Sequence, residues 1–64
     1  MWMLVKLPGS GRLYINFDTV KFIAPGKDHV SYLSFLDGTE RTVDVDFDDL
    51  MKQIENLRNF MRGS

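Results

Sequence analysis

Val30-Ser31-Tyr32-Leu33-Ser34-Phe35-Leu36-Asp37-Gly38-Thr39-Glu40-Arg41-Thr42-Val43-Asp44-Val45 is the stretch that decides the fold. Two β-rich runs flank Asp37-Gly38. Asp-Gly supplies the two positive-φ residues that a type I′ hairpin turn needs. The spacing therefore predicts an antiparallel hairpin of strands 30–36 and 39–45. Alternation with period two places Leu33, Phe35, Val43 and Val45 on one face. Tyr32, Ser34, Leu36, Thr42 and Asp44 fall on the other.

Beyond Val45 the period changes. Phe47, Leu50, Ile54, Leu57 and Met61 recur at steps of three and four, which is one face of a helix over 47–61. Asp46 is its expected N-cap, with Asp49 completing a capping-box-like pair. Asp48 and Asp49 sit near the positive end of the helix dipole, Arg58 and Arg62 near the negative end. Lys52, Gln53, Glu55, Asn56 and Asn59 form the polar face.

Towards the N-terminus, Pro8-Gly9-Ser10-Gly11 and Ala24-Pro25-Gly26-Lys27-Asp28-His29 read as turns. The runs they separate read as strands 2–7, 12–17 and 20–24, with a corner at Asp18-Thr19. The expected class is α+β: an antiparallel β-meander of about five strands closed by one C-terminal amphipathic helix, with the strand order and the place of 20–24 in the sheet left open. Gly63-Ser64 carry no argument.

Period two across all the strands gives one aliphatic face of Met3, Val5, Leu7, Leu13, Ile15, Phe17, Leu33, Phe35, Val43 and Val45. This is the expected core, covered by the helix. The opposite face would be mostly charged and Thr-like if it only met water. Instead it carries Trp2, Leu4, Tyr14, Tyr32 and Leu36, and one helix cannot cover both faces of a sheet. These five residues are the expected interface. Scattered exposed apolar residues are common, so the face alone is not decisive.

Size adds to the case. The chain has 64 residues, enough for one domain. A domain this short buries only about 60% of its unfolded surface and needs help from disulfides, a metal or a partner. With no cysteine and one histidine, disulfides and thiolate or histidine zinc sites within one chain are excluded. Oligomerisation is the remaining helper. A hydrophobic fraction of 44% and a charged fraction of 27% are those of a folded globule. The formal net charge of −1 gives no strong pull to nucleic acid or anionic lipid. No apolar run approaches the roughly 20 residues that span a bilayer. Met1-Trp2-Met3-Leu4-Val5-Lys6 lacks a basic n-region and a cleavage site, so a cytoplasmic location is expected.

Catalytic chemistry finds little footing. Asp44, Asp46 and Asp48 match the first ligand positions of an EF-hand loop and Glu55 the twelfth. Asp49 stands where that loop needs glycine, and a strand leads in rather than a helix, so no metal or other cofactor is expected. His29 lacks an evident orienting partner, and Ser10, Ser31 and Ser34 lack a nucleophile-elbow pattern. Gly9-Ser10-Gly11 precedes a strand, where a phosphate loop would precede a helix. For nucleic acid, Lys6, Arg12 and Lys27 are the candidate contacts, with Tyr14 and Trp2 nearby. Balanced charge argues against that partner. Trp2, Tyr14 and Tyr32 could also form a stacking surface for a small ligand sequestered at a subunit boundary.

The segment from Leu13 to Ile23, a loop, the run Val30 to Leu36 with Asp37-Gly38, then Thr42-Val43-Asp44-Val45 and a helix from Phe47 resembles two families. Over nearly the whole chain it is similar to the small flagellar and swarming-motility proteins of bacteria. Over about two-thirds it is similar to the second half of the LytTR-type DNA-binding domain. The first resemblance implies a bacterial accessory or regulatory protein without enzymatic activity. The second implies DNA contacts from the loops at Pro25-Gly26-Lys27-Asp28-His29 and Asp37-Gly38, where Lys27 is the one basic residue. A small phage-encoded protein would fit the length equally well. The leading expectation is a non-enzymatic protein-interaction module that forms a homo-oligomer through its sheet. A nucleic-acid-binding regulator and a ligand-sequestering oligomer are the alternatives.

Overall fold

Five antiparallel strands and one helix follow one another in the computed structural model, which describes residues 1–63, with side chains through Phe60. They are β1 (Trp2–Lys6), β2 (Arg12–Asn16), a 3-10 turn (Phe17–Thr19), β3 (Val20–Pro25), β4 (Ser31–Phe35), β5 (Glu40–Val43) and α1 (Phe47–Gly63). The α+β class is as expected, and each strand falls within or one residue beyond its expected range. The roles expected of Met61 and Arg62 on α1 lie outside the described side chains.

The strands divide into two sheets. β1 and β2 pair as a hairpin, and β3-β4-β5 form a separate three-stranded sheet. The break comes at the 3-10 turn. Asn16 Oδ1 accepts the Asp18 N–H at 3.1 Å, and Thr19 Oγ1 donates to the Asn16 carbonyl at 2.8 Å. These local bonds compete with strand extension, as short polar side chains do. A backbone bond ties the two sheets together, Asp44 N–H donating to the Lys6 carbonyl at 2.7 Å, while Phe17 N–H on the Met1 carbonyl at 2.7 Å extends the β1–β2 pairing.

The turn chemistry is also redistributed. Asp37-Gly38 does close the β4–β5 hairpin, but only Gly38 has positive φ. Gly38 N–H donates to the Phe35 carbonyl at 3.0 Å, and Phe35 N–H to Thr39 at 2.8 Å, enclosing a three-residue loop. This is a turn followed by a left-handed glycine bulge, not a two-residue type I′ turn. The Asp37 carboxylate stabilises it by accepting from Thr39 N–H at 2.9 Å and Thr39 Oγ1 at 2.6 Å. Those bonds, the hydroxyl first, lower the Asp37 pKa. Paired positive φ occurs instead at Asp28 (58°) and His29 (61°), with Val30 N–H on the Lys27 carbonyl at 3.3 Å. Aspartate and histidine are among the non-glycine residues that enter this region most readily.

β3 is an edge strand with an irregularity. Val20 pairs with Phe35 and Phe22 with Ser34, so Lys21 is the extra residue of a bulge. The strand ends on Pro25, which has no N–H to offer.

The ten residues expected to point inward do so. Met3, Val5, Ile15, Phe17, Leu33 and Val43 are buried, and Leu7, Leu13, Phe35 and Val45 pack half-buried against them. Leu50 and Ile54 of α1 complete the buried set, with Leu57 and Met51 beside them. Asp46 caps α1 as expected, accepting the Asp48 N–H at 3.2 Å, while its carbonyl takes the first helical bond from Leu50 at 2.9 Å. No helix among the described residues is long and apolar enough to cross a membrane.

Candidate interaction surface

The β1–β2 hairpin determines the surface residue by residue. Its register pairs Trp2 with Asn16, Leu4 with Tyr14 and Lys6 with Arg12. Met3, Val5 and Ile15 turn into the core, so these three pairs all face outward. Trp2 is 66% exposed, Tyr14 65% and Leu4 42%. The result is an apolar strip with a polar end at Asn16 and a basic end at Lys6 and Arg12.

Tyr32 and Leu36 do not join it. Tyr32 lies outward on the three-stranded sheet beside Ala24 and Thr42. Leu36 sits in the turn after β4. The division into two sheets is the cause: the expected single outer face is now a hairpin face and a second sheet face. The second face gains Phe22, 65% exposed, which the sequence reading placed on neither side. The Lys21 bulge turns Phe22 outward while Val20 and Ile23, three apart, both pack inward. The Lys21 ammonium lies 5.5 Å from the Phe22 ring centroid. Phe60 near the end of α1 is also exposed and was likewise missed.

An open cleft of ≈ 1120 Å³ adjoins the basic end of the hairpin. Its lining includes Lys6, Arg12 and Lys52 together with Asp44, Asp46, Asp48 and Asp49. Lys27, the third basic residue singled out in the sequence, is not among its lining residues. The aspartates do not converge on a metal: among the described residues no three His, Cys, Asp or Glu side chains are grouped to hold one.

His29 does have a partner, from seventeen positions away. Its Nδ1 lies 3.0 Å from Asp46 Oδ1, so the capping carboxylate binds this loop histidine as well as the Asp48 N–H. The hydrogen bond to Asp46, then its charge, raises the His29 pKa above 6.5. The same bond lowers the Asp46 pKa below 3.8. The raised histidine contributes stability that is full below pH 6.5 and is lost as pH rises through its folded value. The lowered aspartate contributes stability that is full above pH 3.8 and is lost as pH falls through its folded value. The pair therefore stabilises most between pH 3.8 and 6.5. Urea midpoints measured at about pH 5.5 and about pH 8 should fall with pH in the wild type and change less in His29→Gln. An equal fall in the variant would remove His29 as the cause.

No family model matches the chain, and no curated protein or solved structure is significantly similar to it.

Proposed function

We propose that the protein is a non-enzymatic interaction module of the cytoplasm, with a regulatory or accessory role, that works as a homo-oligomer. One observation carries the reading. The outer face of β1–β2 exposes Trp2, Leu4 and Tyr14 side by side, while Met3, Val5 and Ile15 on its inner face share the core with Leu50 and Ile54 of α1. Tryptophan and tyrosine with a flanking arginine are the residue types that dominate interface energetics. A 64-residue chain without cysteine has a thermodynamic use for added burial. The resemblance to small flagellar and swarming-motility proteins supports the same class of role.

Sedimentation equilibrium tests the reading. The wild type should show concentration-dependent self-association in the range of about 10 to 500 μM. Trp2→Ala should shift the population to monomer, because truncating a large aromatic anchor weakens binding by about 2 kcal/mol, roughly thirtyfold. A wild-type chain that stays monomeric throughout would remove self-association from the reading.

A further inference from the structure

We infer that a second copy of this chain docks face to face on the β1–β2 hairpin, with its strands antiparallel to the first. This inference rests on the self-association just proposed and specifies its geometry. Two-fold symmetry allows two simple ways to lay one hairpin face on another. With the axis along the strands, β1 lies over β2 of the second copy. Lys6 would then sit over Arg12 on both sides, bringing like charges together in a closing interface.

With the axis across the strands, each strand lies over its own copy in the reverse direction. Leu4 then meets Leu4, and Tyr14 meets Tyr14, at the centre. Lys6 of each copy lies over Trp2 of the other, and Arg12 over Asn16. An ammonium over an indole face is attractive where an ammonium beside a guanidinium is not. The charges do not oppose it: at the opposite end the Asp18 carboxylate is paired with the Met1 ammonium at 2.8 Å, so Lys6 and Arg12 meet an end without net positive charge.

Space is available where the indole arrives. The cleft beside Lys6 and Arg12 is also lined by Leu4 and by Asp44 and Asp48, so it offers an apolar wall and carboxylate acceptors for an indole N–H. The area is modest. Two aromatics and a leucine with their polar flanks cover on the order of 500 Å² per copy, near the lower limit for a specific interface. A reversible dimer of micromolar affinity is the fitting outcome.

The chain has no cysteine, so single cysteines can report the geometry. Leu4 and Lys6 are both exposed, and replacing either leaves the core untouched. Leu4→Cys and Lys6→Cys are treated with a short bis-maleimide at a concentration where sedimentation shows dimer. Leu4→Cys should give a dimer-sized product, since it lies on the two-fold axis. Lys6→Cys should give little, since two such positions lie roughly 13 Å apart along the strand in addition to the sheet separation. Equal products from both variants would overturn the antiparallel geometry. A dimer that yields no Leu4→Cys product would overturn the hairpin face while leaving self-association intact. A wild-type monomer at every concentration would overturn both.

Discussion

Leu33→Ala is expected to unfold a large part of the population at 25 °C. Leu33 is fully buried in β4, the central strand of the three-stranded sheet, and pairs with Ile23 on one side and Arg41 on the other. Leucine-to-alanine changes at such sites cost about 2–5 kcal/mol, the higher values where the surroundings cannot collapse into the space. Hydrogen-bonded strands on both sides hold the backbone around Leu33 in place, so collapse is restricted. A chain of this length has a total stability of about 3–10 kcal/mol, and small domains lie at the lower end. The loss is thus comparable with the whole. Far-UV circular dichroism against urea should show a shortened or missing native baseline for Leu33→Ala. Leu36→Ala is the matched control: Leu36 is 65% exposed, so its change should stay within about 0.5 kcal/mol. Equal midpoints for the two variants would refute the assignment of Leu33 to the core centre.

The second large effect is polar. Ser31 is fully buried, and its hydroxyl donates to the Val45 carbonyl at 2.7 Å. Val45 lies between β5 and α1, so this bond fastens the connection that delivers the helix to the core. Ser31→Ala removes the donor and leaves the carbonyl without that partner, a cost of about 1–3 kcal/mol. Ser34→Ala removes a 3.3 Å bond to Glu40 on the solvent side and should change stability by less than about 0.5 kcal/mol. Thermal or urea denaturation of the two alanine variants makes the comparison. A Ser31→Ala midpoint equal to that of Ser34→Ala would contradict the role given to the buried bond.

The sequence makes the elements legible because their signals are local. Alternation from Tyr32 to Phe35 and the three-four spacing from Phe47 to Leu57 each declare themselves within a dozen residues. Ser31 was legible in part, since it shares the phase of Leu33 and Phe35, but its partner lies fourteen positions on. The division into two sheets was not legible. Asn16-Phe17-Asp18-Thr19 continues the β pattern of β2, and only the bonds made by Asn16 and Thr19 turn it into a 3-10 corner. The type I′ expectation failed because Asp37 prefers to bind Thr39, which holds Asp37 out of the left-handed region. Of the five expected interface residues, Trp2, Leu4 and Tyr14 stand together because their register depends on one short hairpin. Tyr32 and Leu36 depended on the sheet arrangement, which no local pattern encodes. Phe22 was hidden by a one-residue bulge that breaks strict alternation. The His29–Asp46 contact links two loops that sequence distance separates.

The bulge at Lys21 and the proline at the end of β3 bear on how large an assembly can become. A free, regular strand edge accepts another strand, then presents a fresh edge, and so grows without limit. Here the extra residue throws the N–H and C=O groups of β3 out of step, and Pro25 withholds a donor. Templated, fibre-forming growth from this edge is disfavoured. A contact between hairpin faces related by a two-fold axis, in contrast, is used up once made, so its stoichiometry is finite and its mass independent of time.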